Sequence, residues 1–283
     1  MMTDSKVNFA DLAELHNAAA AGTLDQIPPE VLTLENLVQG DERGWTALHH
    51  AAFAGHLDQI PREVLTKETL TLQSDDGWTP LHCAALKGFL VQIPRSELTV
   101  ENMVLMNKQG ATPLHFAAEW GQLDIVPRGV LTTECLTMPN STGWTPLHWA
   151  ARKCNLHQIP REVMSAETLT LKDANGWTPL HRAAQGGSLH QIPKELLTVE
   201  ALTTPDMAGW TPLQEAFLQT SEDTTKYRTV DILLGIEFPD AVRYMIEDEW
   251  WEKNQMTIEE VRLASKDVMP EIAAQPESVD IDW

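Results

Sequence analysis

Histidine is the residue in this sequence with the clearest regular spacing, and imidazole can coordinate metals or transfer protons. Five histidines each follow a leucine and recur at a step of 33 residues: His49, His82, His115, His148 and His181. Equivalent atoms on neighbouring packed helices stand roughly 8 to 10 Å apart, whereas the ligands of a zinc ion all lie about 2 Å from it. These histidines therefore cannot converge on one metal ion.

Other reactive residues are sparse. The three cysteines Cys83, Cys135 and Cys154 are widely spaced and form no CxxC pair, which favours reduced thiols over a disulfide framework or zinc site. Cys154 and His157, three residues apart, are a close Cys/His pair, and no further ligands stand nearby. The sequence lacks a phosphate-binding loop, a nucleophile elbow and a His-Glu-x-x-His run. We predict no catalytic, cofactor-binding or metal-binding residues, while a constellation assembled from distant residues stays open.

Composition narrows the class of protein. Of the 283 residues, 43% are hydrophobic and 22% charged, which is typical of a folded protein and not of a disordered one. The formal net charge of −21 opposes binding to nucleic acid and anionic lipid and favours a basic protein partner. Neither a membrane-spanning apolar stretch nor a secretory leader is evident. We expect a cytoplasmic monomer that binds protein and contacts neither nucleic acid directly nor a membrane.

A 33-residue repeat must position all of these residues. Its copies begin Gly44-Trp45-Thr46-Ala47-Leu48-His49, Gly77-Trp78-Thr79-Pro80-Leu81-His82, Gly110-Ala111-Thr112-Pro113-Leu114-His115, Gly143-Trp144-Thr145-Pro146-Leu147-His148, Gly176-Trp177-Thr178-Pro179-Leu180-His181 and Gly209-Trp210-Thr211-Pro212-Leu213-Gln214. A divergent first copy lies at Leu15–Ala19. Thr79 can cap a helix that begins at Pro80, where a missing N–H costs nothing, and Gly88 suits the left-handed end. Each copy therefore predicts an inner helix of about two turns.

These motifs resemble the ankyrin repeat, in which Gly-x-Thr-Pro-Leu-His-x-Ala-Ala recurs every 33 residues, and the resemblance covers residues 11–217. It implies an all-α solenoid of stacked helix-turn-helix repeats that binds other proteins without catalysis. It also implies that the repeated histidine is a structural residue that links neighbouring turns through hydrogen bonds.

The second half of each copy departs from that family. A proline recurs in an Ile-Pro or Val-Pro segment at Pro28, Pro61, Pro94, Pro127, Pro160 and Pro193, and each removes a backbone donor. We predict that the outer helix begins at the proline and consists of two short pieces, the second capped by a residue such as Thr66. Tight turns are expected at Asp76-Gly77 and Asn175-Gly176. Cys154 replaces the helix-ending glycine, which predicts local strain or a shifted cap.

The array should have atypical end caps, because terminal repeats must shield the stack. We expect an N-terminal capping repeat over 1–43, five ankyrin repeats over 44–208, a C-terminal repeat with an acidic helical cap over 209–265 and an acidic tail over 266–283. Within the cap, Trp250 and Trp251 stand among four carboxylates, and they either anchor the cap or engage a basic surface.

Two sets of residues are candidates for partner binding. Large rings occupy the position after the turn glycine, which commonly faces the partner in ankyrin proteins; we call Trp45, Trp78, Trp144, Trp177 and Trp210 the tryptophan row. An architectural role, with each ring packed on the adjacent proline or the Ile-Pro segment, is the alternative. The two residues after each Ala-Ala pair face the groove of the family; we call these groove positions, and they are Phe53 and Ala54, Leu86 and Lys87, Glu119 and Trp120, Arg152 and Lys153, and Gln185 and Gly186.

Groove positions vary while the framework does not, so a specific partner would be recognised there. Trp120 beside Arg152 and Lys153 is the best candidate, and a solvated face without a partner is the alternative. Ala111 interrupts the tryptophan row in the same copy, which suggests a local specialisation. The leading hypothesis is a protein-binding scaffold or adaptor. The alternatives are an acidic decoy that occupies a nucleic-acid-binding protein, and an enzyme that uses the last 66 residues.

Overall fold

The computed structural model describes residues 9–218, and in this range the elements are helices and turns with one isolated β-bridge between Gly40 and Thr46. The inner helices stack in chain order, each on the next, which confirms the all-α solenoid. We number the units 1 to 7 by these helices: Phe9–Ala21, Ala47–Ala54, Pro80–Lys87, Pro113–Glu119, Pro146–Arg152, Pro179–Gly186 and Pro212–Leu218.

The inner helices begin and end where the sequence predicts. In unit 3, Oγ1 of Thr79 accepts a hydrogen bond from the backbone N–H of His82, and Pro80 is the first helical residue. Gly88 ends the helix at a φ of 89°, in the left-handed region that favours glycine. Short length and small alanines let successive helices approach closely, so the stability of each unit depends on its neighbours.

Unit 5 must end its helix without glycine. Cys154 has a φ of 61° and is the one non-glycine residue with positive φ among the described residues, which confirms the predicted strain. Its thiol donates to the carbonyl oxygen of Gly186, 2.8 Å away on the next unit. The strained residue is thereby fixed by a contact between units.

The outer layer differs from the prediction. In unit 2 a 3-10 turn, Leu57–Gln59, precedes Pro61, a second one, Arg62–Val64, follows it, and the helix Lys67–Leu70 comes last. The prediction that the outer segment begins at the proline was therefore wrong, because a helical turn already precedes the proline. Proline removes only its own N–H, and the N–H of Ile60 still closes that turn onto Leu57 at 3.1 Å.

The short outer helices are those predicted from their Thr or Ser caps. They span Leu34–Leu37, Lys67–Leu70, Val100–Met103, Thr133–Leu136, Ala166–Leu169 and Val199–Leu202. A glutamine joins neighbouring outer segments: Gln92 accepts from the N–H of Leu57 at 3.1 Å and donates to the carbonyl of Gly55 at 2.6 Å. The outer layer is thus held by side-chain hydrogen bonds as well as by packing.

The turns between units are joined to one another by backbone hydrogen bonds. The turn at Gly77 closes through the N–H of Ser74 and the carbonyl of Trp78, 2.8 Å apart. The N–H of Asp75 donates to the carbonyl of Arg43 at 2.9 Å, which links this turn to the preceding one. The predicted acidic cap and tail, beyond residue 218, lie outside the described residues, so the predicted domain boundaries there stay predictions.

Candidate protein-binding surface

The repeated histidines are buried connectors. Nδ1 of His49 accepts from the backbone N–H of Thr46 at 3.1 Å, so Nε2 carries the proton and donates to the carbonyl of Trp78 at 3.0 Å. His82, His115, His148 and His181 bridge to the next turn in the same way. Burial lowers the pKa of His49, His115 and His148 to about 4 and that of His82 to about 3. The implied structural role is confirmed.

The tryptophan row packs largely inward. Trp45, Trp78 and Trp177 are 7%, 8% and 5% exposed, while Trp144 and Trp210 are half-buried. The rings of Trp45, Trp78 and Trp177 each contact the repeated histidine of the same unit, with ring centroids 5.6 to 5.7 Å apart. Rings this buried offer a partner little surface, so the architectural alternative describes Trp45, Trp78 and Trp177. They contact the inner helix through these histidines.

Two other rings take the place of the tryptophan that unit 4 lacks, since Ala111 stands at that position. Phe116 stacks on Trp78 with centroids 5.0 Å apart and meets Trp149 edge-on at 5.7 Å, and Trp149 meets Trp144 at 5.9 Å. Ala111 itself is buried. Sequence reasoning missed Phe116 and Trp149, although the residue after each repeated histidine changes from unit to unit and could have signalled a specialised position.

A cavity of about 400 Å³ opens beside these rings, and we call it the Ala111 cavity. Its apolar lining includes Trp45, Trp78, Ala111, Phe116 and Trp149, and turn residues supply its polar part: Arg43, Asp76, Asn107, Gln109 and Asn140. The indole Nε1 of Trp149 is buried and has no hydrogen-bond acceptor. The structure thus joins Trp45, Trp78 and Ala111, three positions that the sequence analysis singled out, around one concave space.

A buried cation lies between two rings of the tryptophan row. The guanidinium of Arg182 lies 3.8 Å from the centroid of Trp144 and 4.1 Å from that of Trp177, and Nη2 donates to Oδ2 of Asp173 at 3.1 Å. Burial lowers the pKa of Arg182 to about 10, although Asp173 opposes the shift, so the side chain is charged at neutral pH. Sequence reasoning missed this residue as well.

The groove positions differ in exposure. Trp120 is 55% exposed, whereas Leu86 is buried at 6%. Nζ of Lys153 lies 3.5 Å from a carboxylate oxygen of Glu119, and burial raises the pKa of Glu119 against the opposing charges of Lys153 and Arg152. The structure therefore brings the predicted residues Glu119 and Lys153 together across units 4 and 5, next along the chain to an exposed ring.

Four further contacts involve the groove positions. The Arg152 guanidinium stands 5.6 Å from the centroid of the Trp144 ring, and the Lys87 ammonium 4.2 Å from that of Phe53. Phe53 meets Trp45 edge-on with centroids 5.8 Å apart. Gln185 accepts from Arg182 at 3.3 Å. The predicted residues thus form local clusters and not one continuous patch.

Stacked two-helix units, joined turn to turn and held by buried histidines, define the chain as a helical repeat protein. The family profile described as ankyrin repeats in three copies matches residues 15–94 and 96–167, and that of a single ankyrin repeat matches 175–202. The chain therefore belongs to the ankyrin repeat family. The comparison with curated proteins finds no match. In the part of the chain that the structure describes, no helix has the length and apolar character needed to span a bilayer.

Proposed function

We propose that this chain is a cytoplasmic, monomeric, non-catalytic scaffold that binds one folded protein partner through the groove positions of units 4 and 5 and the neighbouring turns. Ankyrin repeats are generally protein-interaction modules, which supports the class of function. The observation that carries the proposed location is Trp120, a large ring left 55% exposed in an array whose other rings are mostly packed.

Exposure of an indole is costly unless a partner covers it, and tryptophan is among the residues that contribute most to protein interfaces. Glu119 and Lys153 frame this ring with a half-buried ion pair. Such a pair can fix the orientation of a partner that presents an apolar centre with polar groups around it. Trp120 would thus be the anchor, and Arg152 and Lys153 would select the partner.

The Ala111 cavity supports a second contact on the turn side. Its aromatic lining suits an apolar side chain, and the turn amides of Asn107 and Gln109 offer hydrogen-bond groups at the same space. The buried Nε1 of Trp149 is a donor without an acceptor.

The test is a paired capture from lysate of the native host, with the full chain as bait. Trp120→Ala and Lys153→Ala should lose the partner that the unmodified chain retains. Val91→Ser is the matched control, because Val91 is 71% exposed but belongs to the 3-10 turn Leu90–Gln92 of the outer layer. Binding should weaken about 30-fold for Trp120→Ala, which corresponds to the roughly 2 kcal/mol of a strong interface residue.

Thermal unfolding should be unchanged for Trp120→Ala and Val91→Ser, because both side chains are exposed. If the partner binds Trp120→Ala with unaltered affinity, the proposed surface is wrong.

The acidic decoy is a competing proposal supported by the net charge of −21. It differs in salt dependence, because a decoy that imitates nucleic acid would lose its partner steeply as salt rises. Capture that survives high salt but fails with Trp120→Ala would favour the scaffold. Displacement of DNA from the captured partner at low salt would favour the decoy.

A further inference from the structure

Units 1 and 2 bring together two histidines and a carboxylate that the sequence analysis did not connect. One ligating atom each from His16, Asp41 and His50 lies within 4.8 Å of the other two. Among the described residues this is the only group of three or more such side chains close enough to hold a metal ion. The spacing argument against a metal site concerned equivalent histidines in successive units, and it does not apply to this group.

We propose that His16, Asp41 and His50 form a zinc-binding site that joins unit 1 to unit 2. Two imidazoles and a carboxylate are a ligand set that zinc accepts, with a fourth position for water. Nothing in this proposal depends on the groove positions of units 4 and 5, where the protein-binding anchor Trp120 lies.

The geometry is close to what a tetrahedral ion needs. Ligand atoms at about 2.0 to 2.1 Å from zinc stand roughly 3.3 Å apart. Nε2 of His50 and Oδ2 of Asp41 are 3.1 Å apart. The rings of His16 and His50 have their centroids 5.3 Å apart, and the ligating atoms of all three side chains lie within 4.8 Å of one another, so a rotation of the His16 side chain would complete the site.

The carboxylate is already held for this task. Oδ1 of Asp41 accepts from the backbone N–H groups of Arg43 and Trp45 at 2.8 and 2.9 Å, which leaves Oδ2 directed at His50. Burial alone would raise the pKa of Asp41, but these hydrogen bonds and His50 outweigh it and lower the pKa. The group is therefore an anionic ligand at neutral pH.

His16 can supply a ring-nitrogen lone pair at neutral pH. Burial lowers the pKa of His16, despite the carbonyl of Gln39 that lies 3.1 Å from its Nε2. Zinc would bind Nε2 of His50, and the proton between that atom and Oδ2 of Asp41 would move to Nδ1 of the same ring, so the imidazole stays neutral. No oxidation or covalent chemistry is involved.

The position of the site gives it a structural role. His16 belongs to the divergent unit 1, which lacks Gly-Trp-Thr-Pro, whereas Asp41 and His50 belong to the entry turn and inner helix of unit 2. A zinc ion bound to all three would hold the first unit on the stack, and binding to the folded state alone raises stability.

The same register in unit 6 supplies a matched variant. Asp173 and Arg182 stand at the positions of Asp41 and His50, and there a guanidinium neutralises the carboxylate. His50→Arg should form the equivalent pair beside Trp45, whose ring centroid lies 5.4 Å from that of His50, and so keep the fold without a metal ligand. Asp41→Asn keeps Oδ1 for the turn, and His16→Gln keeps a polar group.

The experiment is calorimetric titration of the tag-free full chain with Zn²⁺, followed by Co²⁺ absorption and thermal unfolding with and without chelator. The expected result is one Zn²⁺ per chain, a tetrahedral Co²⁺ spectrum and a rise in Tm that chelator reverses. His50→Arg, Asp41→Asn and His16→Gln should each weaken binding at least tenfold. Folding of the variants is checked by circular dichroism.

Cys154→Ser is the control, because Cys154 and His157 are a rival source of zinc affinity in this sequence. It should leave binding unchanged. Absence of stoichiometric binding, or binding that survives His50→Arg in a folded variant, would overturn the proposal. Loss of binding with Cys154→Ser would assign the metal to the rival pair. Partner capture is unaffected in either case, so the two proposals fail separately.

Discussion

Units 6 and 7 carry a buried aspartate at the same position of the repeat, but they differ in charge at the position nine residues further on. Asp173 and Arg182 form a buried ion pair in unit 6, with side chains 0% and 5% exposed. In unit 7 the same register holds Asp206 and Glu215, both buried, and Oδ2 of Asp206 has no hydrogen-bond partner. Two acids therefore occupy the place where unit 6 holds an acid and a base.

The residue at the position of Arg182 and Glu215 thus decides how the buried aspartate of the turn is neutralised. Burial and the charge of Asp206 raise the pKa of Glu215 to about 7, although Arg182 opposes the shift. In unit 6 the buried carboxylate of Asp173 is neutralised by Arg182, which lies between two tryptophans. In unit 7 the raised pKa of Glu215 favours a proton on one of the two acids. Unit 7 also replaces the titratable histidine with Gln214, whose Oε1 accepts from the N–H of Thr211 at 2.9 Å.

Acidification should have the largest effect, because it breaks the histidine connectors that units 2 to 6 have and unit 7 lacks. With pKa values of about 4 for His49, His115 and His148, and an unfolded value near 6.5, the unfolded state takes up protons first as pH falls. Stability is fully present above about pH 6.5 and is lost as pH falls toward about 4. Each histidine contributes about 1.4 kcal/mol per pH unit in this window.

His82→Gln is the variant that imitates unit 7, since Gln214 keeps the cap without a titrating group. Chemical denaturation at several pH values should show a slope smaller by about 1.4 kcal/mol per pH unit than that of the unmodified chain. An unchanged slope would contradict the assignment of acid sensitivity to these buried rings.

Loss of the unit 6 cation should be the next largest effect. Arg182→Met leaves the carboxylate of Asp173 buried without its partner, and removal of one member of a buried pair typically costs about 3 to 5 kcal/mol. Equilibrium denaturation at pH 7 measures the change. Arg182→Met combined with Asp173→Asn should recover most of it, because the amide keeps Oδ1 for the turn and carries no charge. A single variant that loses under 1 kcal/mol would show that the pair contributes little.

Unit 7 should respond to pH in the opposite direction from the histidines. The pKa of Glu215 is raised from 4.5 to about 7, so the folded state holds the extra proton. Its contribution is fully present below about pH 4.5 and is lost as pH rises through about 7. Glu215→Gln should therefore gain on the order of 2 kcal/mol relative to the unmodified chain between pH 5.5 and 8.

The same denaturation series measures this prediction as a difference between the two chains, which cancels the histidine contribution. Glu14→Gln is a control at an exposed carboxylate. A difference that is flat with pH would mean that Glu215 stays ionised beside Asp206.

Local signals in the sequence were sufficient for the framework. Thr79 and Pro80 start a helix and Gly88 ends it through backbone geometry alone, so the repeat could be placed without knowledge of its neighbours. The strain at Cys154 followed from the same rule. The turn before Pro61 was missed, because a proline was taken to govern residues that its missing N–H does not affect.

The exposure of the proposed binding positions could be predicted only in part. Trp120 was singled out because it varies where the framework does not, and it is exposed. Trp45, Trp78 and Trp177 were proposed for the same surface, yet their rings are buried, since burial of a turn residue depends on the side chains of neighbouring units.

The sequence by itself determined the solenoid and the role of the repeated histidines, because a 33-residue period repeats every local choice. Tertiary structure alone decided which different residues meet. It set Phe116 and Trp149 in place of a missing ring, Arg182 between two tryptophans, and His16 beside Asp41 and His50. These contacts join separate units, and a pattern that describes one unit at a time carries no information about them.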